Sequence, residues 1–178
     1  MTAEFVRSSA VGLLDVFRGI KRPDSDAPVL PADQVRAAIL AINRPTAPFI
    51  IREGGDDEPD LIAEWRVVDA EWRQVFAKAG LTKAFRVKMR LDPDNAEVRA
   101  VDEEWAVKWA QGIPKFSAAA FRGRKVEHQW SSQAAFTERG ELGVVYKYRF
   151  NPGEMKKPIK KAVTGSGWMW RGVAFAKL

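Results

Sequence analysis

The sequence predicts an α+β domain: a mostly antiparallel, curled or barrel-like sheet of about seven to eight strands, with two to four helices. Three observations predict it. Beyond Gly80 the apolar period becomes two, as Phe85, Val87, Met89 and Leu91 alternate with Arg86, Lys88 and Arg90. Before Gly80, and again after Asn151, apolar residues recur at helical spacing. Turn residues separate the alternating runs at intervals typical of a meander.

Residues 1–22 read as an amphipathic helix. Val6, Ala10, Leu13, Leu14, Phe17 and Ile20 share one stripe, with Glu4, Arg7, Asp15 and Arg18 elsewhere. Residues 23–31 read as a linker, because Pro23, Pro28 and Pro31 fall within them. The helix is thus separable from a single α+β domain over 32–178. Its apolar face needs a surface, whether its own domain, a second copy, another protein or a membrane. A second helix is expected from about Pro31 to Asn43, with Val35, Ile39 and Ile42 inward, stopped by Pro45 and Pro48. Phe49–Arg52 is a short strand, and Gly54–Asp60 an acidic, solvated loop.

Residues 61–79 fit two periods. Leu61, Ala63, Trp65 and Val67 alternate as a strand, yet Leu61, Trp65, Val68, Trp72, Val75, Phe76 and Ala79 also share a helical stripe. The expectation is a strand over 61–68 that breaks at Asp69, then a helix over 70–79 closed by Gly80. Phe85–Leu91 and Glu97–Trp109 pair across the turn Asp92-Pro93-Asp94-Asn95. Lys115–Phe121, Lys125–Phe136 and Gly143–Phe150 extend the series. Asn151-Pro152-Gly153-Glu154 opens a helix that Pro158 kinks or shortens and that ends near Gly165. Trp168–Phe175 is the last strand.

Composition narrows the chemistry. With no Cys among the 178 residues there are no disulfides, thiolate metal sites or Cys nucleophiles. The single His, His128, removes multi-His metal sites. No metal and no cofactor is implied. The sequence contains no Gly-rich phosphate loop, nucleophile elbow or two-His motif. No apolar run is long enough for a membrane-spanning helix, and Asp15 breaks the only run resembling a signal, so no transmembrane segment and a cytoplasmic location are expected.

Charge is polarised. The net +6 averages a slightly acidic first third with a C-terminal stretch, residues 111–178, that carries 13 basic and 4 acidic side chains. Two clusters concentrate it: Arg122, Arg124 and Lys125 in a tight turn beside Phe121, and Lys156, Lys157, Lys160 and Lys161 on the capped helix. Met155, Ile159, Ala162 and Val163 form the opposing apolar stripe of that helix. Lysines at this density repel one another, and an anionic partner relieves the repulsion.

Other candidates are carboxylate and aromatic. Asp102-Glu103-Glu104 lies inside a strand, where alternation sends at least one carboxylate inward or forces a bulge. His128 with Asp102 or Glu104 is a candidate acid–base set. Seven Trp is a high count, and the alternating rings of Trp105 and Trp109, and of Trp168 and Trp170, suit either a core or a cavity wall. Phe121, Trp168 and Trp170 are candidates for an aromatic surface or cavity.

The succession of hairpin-connected strands, basic turns and a C-terminal helix–strand unit resembles tubby-like or scramblase-like barrels. The resemblance implies a closed sheet that binds phosphoinositides or other lipids. The four lysines of the helix depart from the wholly hydrophobic helix that threads such barrels.

The expected function is a non-enzymatic binding or interaction domain. Its basic C-terminal third contacts an anionic partner, either nucleic acid or the headgroups of an anionic membrane surface, while residues 1–22 serve a protein partner or self-association. A closed sheet around a small hydrophobic ligand is the first alternative. A hydrolase or isomerase using His128 is the second.

Overall fold

A computed structural model describes residues 19–123, 136–139, 145–148, 152–174 and 178. Residues 1–18 of the helix expected over 1–22, most of the strand expected over 125–136 and the Asn151 cap lie outside the described residues. In chain order the elements are β1 (Ile20–Lys21), α1 (Ala32–Leu40), β2 (Phe49–Glu53), β3 (Leu61–Trp65), α2 (Ala70–Lys78), β4 (Lys83–Asp92), β5 (Glu97–Ala110), β6 (Ile113–Gly123), β7 (Phe136–Arg139), β8 (Val145–Tyr148), α3 (Pro152–Gly165) and β9 (Met169–Gly172).

The fold is α+β. One mixed, mostly antiparallel sheet runs β1-β9-β5-β4-β3-β2, and β6 joins it on β5; β7 and β8 form a separate hairpin. Among the described residues the sheet is open, so it is curled rather than closed. β5 is the strand on which the others are ordered. It pairs with β4 from Glu97 to Ala106 on one edge. On the other edge it takes β9 in parallel over Glu97–Ala100, then β6 over Asp102–Ala110.

Local chemistry accounts for the boundaries. Asp69 caps α2 by accepting from the Glu71 N–H at 3.0 Å, and Gly80 follows the helix at φ +64. The strand-then-helix reading of 61–79 therefore holds, with the strand ending at Trp65. Asp92 accepts from the Asn95 N–H, turning β4 through a short 3₁₀ segment into β5. Gln111 and Gly112, both at positive φ, make the two-residue turn between β5 and β6. α3 runs through Pro158 without ending, because Met155, Ile159 and Val163 bury one continuous stripe.

The helices all cover one face of the sheet. Val35 and Ile39 of α1, Trp72 and Phe76 of α2, and the α3 stripe pack on Phe49, Ile51, Leu61, Ala63, Phe85, Val87, Met89, Val98 and Ala100. Phe49, Trp65 and Phe76 meet edge to face, with ring centroids 6.1–6.4 Å apart.

Two segments differ from expectation. Ile20 and Lys21 do not close a helix but pair with Arg171 and Trp170 as an edge strand. The proline-rich stretch after them is strapped down rather than loose. The Asp24 N–H donates to Thr164 O, the Leu30 N–H to Ser166 O, and the Trp168 indole N–H to Leu30 O at 2.8 Å. Gly167, at φ +75, lies so close beneath this strap that a Cβ there would sit 2.5 Å from Pro28 O.

The outer edge of β2 is guarded by a side chain. Asn43 donates its amide to Ile51 O and accepts the Ile51 N–H, both at 2.7 Å, standing in for a neighbouring strand. Asn43→Ala should leave two strand groups unmet and lower unfolding free energy by about 1–3 kcal/mol, read from urea denaturation.

Candidate ligand-binding surface

Sheet pleating sends alternate residues to the face opposite the helices, and the register aligns them in rows. One row reads Ile50, Glu64, Arg86, Glu103, Arg122 across β2 to β6, so that charges alternate in sign. Glu64 accepts from Arg52 at 3.0 Å and Arg86 at 2.8 Å, and Glu103 from Lys88 at 3.1 Å, with Arg122 at 3.7 Å. The row at the other end is different. Arg90, Arg99 and Arg171 stand abreast on β4, β5 and β9. Like charges directly opposite destabilise a sheet. Among the described residues Glu97 is the carboxylate that relieves them, 2.7 Å from Arg171 Nε and 3.8 Å from Arg99 Nε. Arg90 is exposed and makes no ion pair among the described residues, and the Arg99 and Arg171 side chains are each 40% exposed.

Beyond the compensated row the face ends in a groove of about 600 Å³. Trp105, Phe116, Val68 and Ile50 form its apolar walls, and Arg66, Arg86, Glu64 and Asp69 its polar ones. Arg86 lies over the Trp105 ring, 4.8 Å from its centroid. Trp105 reaches this position by alternation from Glu103, since β5 pairs with β4 without a break from Glu97 to Ala106, and the irregularities between Glu104 and Val107 are extra residues on β6. Val107 and Trp109 join the buried core, whereas Trp105 is half-buried and lines the groove.

The expected Asp102–Glu104 run gives the inward carboxylate rather than the bulge, since all three residues pair in regular register on both edges. Asp102 and Glu104 face the helices, opposite Val87 and Phe85, while Glu103 faces away. Asp102 accepts from Lys156 Nζ at 2.8 Å, with both side chains at most 5% exposed, and Glu104 lies 2.9 Å from Lys83.

The expected lysine face is accordingly split. Lys156 is a buried ion-pair partner, because its position on α3 points at Asp102. Lys160 lies 6.0 Å above the Trp170 ring, and Lys157 and Lys161 remain exposed. Trp168 and Trp170 are core side chains at 2% exposure, not a surface, since β9 is roofed by α3 and the strap. Arg122 is exposed beside Glu103; only the strand position of Phe121 is described. Arg124, Lys125 and His128 lie outside the described residues. Trp105 was among the rings expected to line a core or a cavity, whereas Arg90, Arg99, Arg171 and Phe116 were not singled out by sequence; the alternation of Arg86, Lys88 and Arg90 was the available signal.

Among the described residues no cluster of three His, Asp or Glu side chains is arranged to hold a metal, and no helix is long and apolar enough to cross a membrane. No protein-family model, curated protein or solved structure matches the chain.

Two outcomes follow from these pairs. Lys156→Met should cost about 3–5 kcal/mol by removing the buried cation that faces the Asp102 carboxylate, and adding Asp102→Leu should recover much of that loss in urea denaturation. At the acidic loop, Arg52 bonds Glu58 at 2.8 Å and the Gly55 N–H adds to it, holding the Glu58 carboxyl at about 2 against a usual 4.5. A depressed pKa stabilises the fold above the unfolded value and is lost as pH falls through the folded one. The difference in melting temperature between the wild type and Glu58→Gln should therefore shrink from about pH 5 to about pH 2.

Proposed function

We propose that the chain is a non-enzymatic binding domain that holds a polyanion, with single-stranded nucleic acid as the partner, on the sheet face opposite its helices. The observation that carries this reading is the row of Arg90, Arg99 and Arg171. Three guanidiniums with one carboxylate among them repel one another in the free protein, and phosphates relieve that repulsion while releasing counterions. Neighbouring strands are about 4.8 Å apart, so the row spans roughly 10 Å, a short run of backbone phosphates.

Nucleic acid is favoured over lipid headgroups by what accompanies the row. Trp105 lies six residues further along β5, roughly 20 Å away, and Phe116 is on the adjoining β6. An extended strand reaches both the guanidiniums and the rings, where bases can stack. A membrane needs the rings beside the cations rather than at that distance.

A fluorescent single-stranded oligonucleotide should bind in anisotropy titrations with an affinity that falls as salt rises. Replacing Arg90 and Arg171 together by Gln should weaken it by about tenfold or more and reduce the salt slope by roughly one to two. Lys157→Gln with Lys161→Gln should change it little. Binding that ignores the arginine pair would overturn the site, and sedimentation with phosphatidylserine vesicles in place of oligonucleotide binding would assign the row to lipid.

A further inference from the structure

The groove at the far end of this face has unmet chemistry of one sign. Its acceptors are occupied: Glu64 is shared by Arg52 and Arg86, and Asp69 takes the Glu71 N–H. Its donors are not. Arg66 has a single bond, from Nη1 to Pro45 O at 3.0 Å; its Nε is covered and bonded to nothing, and no carboxylate pairs with it among the described residues. The Trp105 indole N–H likewise has no partner among the described residues, whereas Trp109 and Trp168 each donate to a backbone carbonyl. The walls around these donors are apolar and partly open, with Val68 at 71% and Phe116 at 45% exposure. A volume of about 600 Å³ is that of a small-molecule site.

We infer that the groove is a separate binding site for a small ligand with a flat apolar body and one anionic acceptor group, of the aryl carboxylate or sulfonate class. The body lies along Trp105, Phe116 and Val68, and the anion faces Arg66 and the indole N–H. Because the unmet groups are all donors, a cationic or purely apolar ligand leaves them unmet and is discriminated against. The site is distinct from the arginine row and independent of whether that row binds nucleic acid.

Two dyes test the assignment. Anilinonaphthalene sulfonate and phenylnaphthylamine share an aromatic body, and only the first carries an anion. The full chain should bind one equivalent of the sulfonate, by fluorescence titration, about tenfold or more tightly than the neutral amine. Val68→Ser with Phe116→Ser, both at exposed positions, should weaken both dyes several-fold. Arg66→Gln should remove the preference for the sulfonate and leave the amine unchanged. The Arg90 and Arg171 variant should bind the sulfonate as the wild type does. Equal affinity of the wild-type chain for the two dyes overturns the inference without any variant. Sulfonate binding that survives Val68→Ser with Phe116→Ser at an unchanged melting temperature, or that is lost with Arg90 and Arg171, overturns it too.

Discussion

The two-sided pairing of β5 is the constraint on which the rest of the fold depends. Fourteen residues of backbone must be satisfied on both edges, and one edge is shared by two strands that arrive from different parts of the chain. The exchange occurs between Ala100, the last partner of β9, and Asp102, the first partner of β6. Asp102 is also where Lys156 reaches down from α3. That ion pair joins the helix preceding β9 to the position where β9 gives way to β6. Burying both charges is unfavourable unless the geometry is kept, so the pair penalises any slip of α3 along the sheet more than it adds to total stability.

Register then decides what the uncovered face presents. Because side chains alternate strictly, a row of residues across neighbouring strands is determined by pairing alone. The row through Arg86 and Glu103 neutralises itself. The row through Arg99 does not, and it exists only because β9 enters in parallel with Arg171 opposite Arg99. The same alternation beyond Glu103 brings Trp105 to the groove.

Much of this was legible locally. The period of two over Phe85–Leu91, the Asp69 and Gly80 bracket around α2, and the Asp92–Asn95 turn each depend on residues within a few positions, and each formed where expected. The stripe of Met155, Ile159 and Val163 was equally plain. What escaped depends on distant partners. Lys156 looks like its lysine neighbours until Asp102, 54 residues upstream, is placed beneath it. Arg90, Arg99 and Arg171 are three ordinary strand arginines until register aligns them. The prolines of 23–31 suggested freedom because nothing nearby in sequence shows that Thr164, Ser166 and Trp168 hold them.

The strap and the edge strand beneath it also set an order of assembly. Among the described residues β1 pairs only with β9, and β9 takes its place on β5 from a point more than 130 residues further along the chain. As the polypeptide leaves the ribosome, β2 to β5 can pair in succession, but the edge of β5 over Glu97–Ala100 stays open until Gly172 has emerged. Residues 20–31, made before all of these strands, are therefore among the last to acquire the contacts described. Translation pauses or premature stops upstream of Met169 would leave a nascent sheet with one bare edge, the condition under which chaperone capture or aggregation competes with folding.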